Sequence, residues 1–218
     1  MKKYLFPMML PLLILVVLTG CAGPRYHIQV NGYTDPEAKA APAPGATIFV
    51  IENKEAKNPL LEKEIKGKIN KLLDKQGFRL ASYEAAQYYL LFSYGMGSER
   101  KVTVAMPEFI TGWAVGVTYP PPGSYVYMSP WFWPSPVLET QYDRWLMVNV
   151  VDGQHYREKG QFRTLWVGEA RSVGSSADLR VVVNYLLVAA LSELGKNTGK
   201  AVEVDIPPDD PRVRDLTP

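Results

Sequence analysis

The sequence predicts an α+β domain of two layers: a mainly antiparallel sheet of about five strands, two helices on one face, and a long aromatic insertion between two strands. Three observations predict it. Two segments combine helical periodicity with helix-end chemistry, and several short runs have the composition of strands. A third, Thr111 to Leu138, has no charged residue in a chain that is 21% charged.

The run TIFVIE, from Thr47, is short, apolar and β-branched, as expected of a buried strand. The first helix follows in NPLLEKEIKGKINKLLDKQG. Asn58 is an N-cap residue, Pro59 suits the first helical position, and Gly77 suits the left-handed position past the end. Leu61, Ile65, Ile69, Leu72 and Gln76 form one stripe with Leu73 beside it, while Lys63, Lys66, Lys71 and Asp74 lie away from it. The lysines are a solvated face.

QYYLLFSY and RKVTVAM read as two strands joined by a turn at GMGSE. YDRWLMVNVVD and QFRTLWVGEARS are two longer ones, joined by GQHYREKG. In the last strand Phe162, Thr164, Trp166, Gly168 and Ala170 face one way and Arg163, Leu165, Val167, Glu169 and Arg171 the other. Gly168 among bulky neighbours implies close packing or a bulge. The closing helix lies in SADLRVVVNYLLVAALSELG, with Ser176 as cap, Gly195 as stop and a wide apolar arc that should be deeply packed.

The ends read differently. Lys2 and Lys3 precede an apolar stretch from Leu5 to Leu18, too short and too proline-interrupted for a spanning helix but suited to an export signal over residues 1–20. Residues 21–46 read as a tether, in which RYHIQV has the makings of a short strand. The domain proper is expected over 47–204, with the insertion at 107–139, and DIPPDDPRVRDLTP leads into a flexible tail over 205–218.

Leu18-Thr19-Gly20-Cys21 resembles the lipobox of bacterial lipoproteins. The resemblance implies cleavage before Cys21 and lipidation of its thiol. Cys21 is the only cysteine, so no disulfide partner exists within the chain. Several acyl chains anchor a protein stably where one does so marginally. Ala22, where an aspartate would stand, resembles lipoproteins sorted to the outer membrane, and the domain is then expected in the periplasm. Removing residues 1–20 takes two of the 24 basic residues and none of the 22 acidic ones, leaving no net formal charge. Nucleic acid, which demands a basic footprint, is not an expected partner.

From Thr47 to Leu194 the pattern resembles the DUF4136 family of exported bacterial proteins. The matching pieces are NPLLEKEIKGKINKLLDKQGF, LMVNVVD ending at Asp152, LWVGEA with Trp166, Gly168 and Ala170, and the closing helix. Gln87 stands where the family usually has an acidic residue. The resemblance implies no activity and no catalytic residues.

Nothing in the chain points to catalysis, a cofactor or a bound metal. His27 falls in the tether and His155 in a predicted turn, and no HExxH, GxSxG or Walker motif occurs. Asp209 and Asp210 adjoin each other in the predicted tail, where nothing fixes their separation. Glu169 shares a strand face with Arg163 and Arg171, which suggests a surface cross-strand ion pair.

The aromatic insertion is broken by Pro120, Pro121, Pro122, Pro130, Pro134 and Pro136, so it is no transmembrane helix. It is far longer than ordinary connections, and its rings are too apolar to prefer water. Two readings stay open: a flap covering the second sheet face, or a displayed surface formed by Trp113, Tyr119, Tyr125, Tyr127, Trp131, Phe132 and Trp133. The expected function is a membrane-anchored envelope lipoprotein acting as a non-enzymatic interaction or structural module, attached through lipid-modified Cys21, with the insertion docking an envelope protein or the membrane interface. The alternative is a binding protein for an apolar or glycan ligand, with the insertion as a wall of the site.

Overall fold

The computed structural model describes residues 25–38, 42–107 and 134–217. In chain order these form β1 (Tyr26–Thr34), β2 (Thr47–Ile51), α1 (Pro59–Lys75), β3 (Arg79–Leu80), β4 (Tyr88–Pro107) and β5 (Pro134–Asp152). There follow α2 (Gly153–Lys159), β6 (Thr164–Gly174), α3 (Leu179–Ser192), β7 (Val202–Ile206) and α4 (Pro211–Arg214). The fold is mixed α+β with one seven-stranded sheet, ordered β3-β2-β4-β5-β6-β1-β7. β2 runs parallel to β3 and β4, and the remaining pairs are antiparallel.

The main core lies between one sheet face and helices α1 and α3. Ile65, Ile69 and Leu73 of α1 and Leu186, Leu187 and Leu191 of α3 are fully buried against Ile28, Val30, Ile48, Leu90, Leu146 and Val148 of the sheet. Trp166 is the largest side chain wholly enclosed there. Its indole lies across Gly168, where a Cβ would stand 2.1 Å from the ring, and Nε1 donates to the Lys196 carbonyl at 2.9 Å. Gly168 therefore serves close packing, one of the two roles its neighbours implied.

Helix ends follow their chemistry. Asn58 accepts from the Leu61 amide, and Pro59 and left-handed Gly77 hold the positions expected for α1. The cap of α3 is Asp178, which accepts from the Arg180 and Val181 amides, in place of the expected Ser176. Aspartate is as good a cap, and here it sits directly before the first helical residue.

Four expectations are corrected. QYYLLFSY and RKVTVAM belong to one strand: the pairing with β5 passes through GMGSE with only a register shift between Met96 and Glu99. A bulge absorbs extra residues without reversing the chain. GQHYREKG is not a bare loop but carries α2, capped by Asp152 and ended by left-handed Gly160. The sheet has seven strands in place of five because β1, β3 and β7 lie outside the runs that looked most apolar. Finally, neither end of the domain is loose.

β1 is an interior strand between β6 and β7, and residues 205–218 contribute Ile206, Val213 and Leu216 to the core. Proline marks that segment as irregular, yet Pro211 occupies the first turn of α4, where its missing N–H costs nothing. Asp210 caps α4 and also binds Arg212, with 2.8 Å from Oδ1 to the Arg212 amide and 2.8 Å from Oδ2 to Nη2. The Arg212 hydrogen bonds hold its carboxyl below the usual aspartate range. A lowered folded value stabilises above the unfolded value of about 3.9 and is lost as pH falls through the folded one. Asp210→Ala is expected to cost about 1 kcal/mol at pH 7. Urea unfolding at descending pH should show that difference shrinking only below about pH 4.

Candidate functional site: the outer sheet face and the β4–β5 ribbon

Alternation along β5 sends Arg144, Leu146, Val148 and Val150 toward the helices and Asp143, Trp145, Met147 and Asn149 to the opposite, outer face. α2 closes one end of that outer face. Tyr156 packs with Ala86, Tyr89 and Val151, Tyr83 stacks on Tyr89 at 4.7 Å, and Phe162 stacks on Tyr156 at 4.5 Å. Arg157 Nη1 fastens the helix by donating to the Ala86 carbonyl at 2.8 Å and to the Tyr89 hydroxyl at 2.9 Å.

Among the described residues the other end is open. A single cross-strand row runs Gly95, Trp145, Arg171, Gln29, Glu203 over β4, β5, β6, β1 and β7. From Trp145 to Glu203 it floors a cavity of about 790 Å³ lined also by His27, Asp143, Met147 and Val173. The Trp145 indole rests against Gly95, whose Cβ would stand 2.7 Å from it, and the residue remains 37% exposed. At the rim, His27 Nδ1 lies 2.6 Å from Asp205 Oδ1, and Arg100 Nη2 donates to Asp143 Oδ1 at 3.0 Å.

Beneath this floor, on the helix side, Arg144 is only 3% exposed. Burial lowers its pKa, Nη1 reaches the Ser176 carbonyl at 3.3 Å, and Nε has no partner. Tyr94, on the same face, is pushed up to about 12 by burial and by the nearby Glu62 carboxylate.

The second feature is the length of β4 and β5. β2 accompanies β4 only as far as Leu91, and β6 accompanies β5 only from Tyr142. From Arg100–Gln141 to Pro107–Pro134 the two strands pair only with each other among the described residues. At about 3.3 Å per residue this two-stranded ribbon extends roughly 25–30 Å beyond the sheet. Glu99, Arg100 and Lys101 lie near its base, and Leu138 farther out is 71% exposed.

Of the residues singled out from sequence, Cys21 and Trp113, Tyr119, Tyr125, Tyr127, Trp131, Phe132 and Trp133 lie outside the described residues. His155 heads α2, where its amide donates to Asp152. Glu169 stands opposite Met147 and Asn31, neither of them charged, so the expected cross-strand ion pair has no partner in register. Among the described residues no three His, Cys, Asp or Glu side chains are grouped to hold a metal. No helix there is long and apolar enough to cross a membrane. The outer row was not singled out from sequence; the alternation Asp143, Trp145, Met147 within YDRWLMVNVVD is the signal that would have flagged it.

The family model described as "Domain of unknown function (DUF4136)" matches residues 32–193. The chain belongs to this family. Among solved structures, a DUF4136 family protein from Bacteroides thetaiotaomicron is 15% identical, with a TM-score of 0.37, covering 76% of this chain and 92% of that one. The PelC dodecamer from Paraburkholderia phytofirmans is 12% identical, TM-score 0.41, covering 78% and 99%. A PDZ domain protein from Parabacteroides distasonis is 13% identical, TM-score 0.45, with 83% of this DUF4136 chain aligned to 38% of that one. No curated protein matches.

Proposed function

We propose that this DUF4136 chain is a lipid-anchored protein of the cell envelope, held in the outer membrane through Cys21, that works without catalysis as an interaction module. The observation that carries the reading is the ribbon. A lone two-stranded hairpin is marginal in water, and this one leads from the sheet toward a segment rich in aromatic residues and free of charge from Thr111 to Leu138. Tyrosine and tryptophan in such a segment suit a protein hot spot or a membrane interface. The LTGC sequence supports attachment, since a lipidated cysteine leaves the ribbon free to engage a neighbour.

Replacing residues 100–141 with a short Gly/Ser turn leaves every β5–β6 pair intact and keeps the core. The unfolding midpoint should stay within about 4 °C, the shift of roughly 1 kcal/mol, while detergent-sensitive association with envelope fractions is lost. A collapse of stability would instead make the segment part of the core. For the anchor, Cys21→Ser should abolish incorporation of labelled palmitate and release the chain from membranes. Unchanged membrane attachment would remove that half of the reading.

A further inference from the structure

The outer-face row combines features that the ribbon does not explain. Trp145 is backed by Gly95, which has no side chain to displace its indole, and it lines the cavity while remaining 37% exposed. Beside it in register come a guanidinium, an amide and a carboxylate: Arg171, Gln29 and Glu203. With strands about 4.8 Å apart, the four side chains span roughly 14 Å. The rim groups Asp143 and His27 are already paired, with Arg100 and Asp205. Among the described residues, Arg171, Gln29 and Glu203 make no side-chain hydrogen bond or ion pair, so their donors and acceptors are available to a ligand.

The chemistry of an occupant follows from what the row offers and lacks. β5, β6 and β1 are each paired on both sides, so an extended peptide finds a free edge only along β7, where it would lie across the end of the row and reach Glu203 alone. Arg171 and Glu203 offset each other in charge, which disfavours a polyanion. Of the apolar residues that line it, Ile28 is buried in the core on the helix side, which leaves Trp145, Met147 and Val173, too little for an acyl chain. A flat aromatic surface followed by planar hydrogen-bonding groups fits a ring with one apolar face and a periphery of hydroxyls.

We propose that this row binds a saccharide chain, with Trp145 as the stacking platform and Arg171, Gln29 and Glu203 as hydrogen-bonding groups. The site is on the body of the sheet, apart from the ribbon, so a ribbon-shortened chain that fails to associate should still bind sugar. Loss of one role is thereby distinguishable from loss of the other.

Calorimetric titration of the full chain, in a detergent without a sugar headgroup, against tetrasaccharides of glucose, N-acetylglucosamine and mannose tests it. At least one should bind with a Kd below about 1 mM. Trp145→Ala should weaken that binding at least tenfold and Arg171→Gln several-fold, with the unfolding midpoint checked for each. If Trp145→Ala fails to fold, the surface changes Arg171→Gln and Gln29→Ala decide. The proposal is overturned if none of the three sugars binds at that level, if binding survives the substitutions unchanged, or if an extended decapeptide saturates the site while sugars do not.

Discussion

Trp166→Ala should be the most damaging single substitution in the body of the protein, lowering stability by about 3–5 kcal/mol. At roughly 2–4 °C per kcal/mol for a chain of this size, the unfolding midpoint falls by roughly 6–20 °C. Three losses coincide. The indole is fully enclosed between the sheet and its covering, it seals the strip of backbone at Gly168, and it satisfies the Lys196 carbonyl. Alanine would leave a cavity that the paired strands on both sides cannot collapse into, and a carbonyl without its donor. Gly168→Val should approach the same cost from the other direction, because its Cβ would stand 2.1 Å from the ring. Urea unfolding of both variants checks this. A cost below about 1 kcal/mol for Trp166→Ala would mean that the ring is not the keystone of the packing.

A stop after Lys200 should prevent cooperative folding. It removes β7 and α4, and with them Ile206, Val213 and Leu216 from the core. Each buried aliphatic side chain contributes about 1.5–3 kcal/mol, so together they represent a large share of the 5–15 kcal/mol that holds a domain. β1 would also become an edge strand, with five register positions left unpaired from Tyr26 to Val30. Near-UV circular dichroism and limited proteolysis should report a chain without fixed tertiary packing. If the terminal residues were a dispensable tail, the shortened chain would unfold at the same temperature as the full one.

Helix chemistry and β-branched runs were legible because they act locally. Asn58, Pro59 and Gly77 marked α1 without reference to anything else, and α3 announced itself by an apolar arc too wide for a surface helix. RYHIQV had marked β1 as a short strand, but its place inside the sheet, and β7 altogether, were hidden because their evidence is mutual. Each is short and half polar, and each makes sense as a strand only once the other is known to lie beside it. The tail misled through its prolines, since Pro211 breaks a strand or starts a helix depending on whether Asp210 caps it. For the candidate site, the face on which Trp145 lies could be read from alternation. Its neighbours Arg171, Gln29 and Glu203 could not, because register across β6, β1 and β7 is set by tertiary packing.

The pairing of Tyr26 with Ile206 sets the timing of folding as well as its outcome. The first described strand is completed by one of the last, so a chain emerging N-terminus first carries Ile28 and Val30 uncovered until almost all of it has followed. Contacts this distant in sequence close slowly. During that interval the strand offers apolar side chains and open backbone groups to any passing chain, which makes a holding chaperone useful at the step where the polypeptide is longest and least protected.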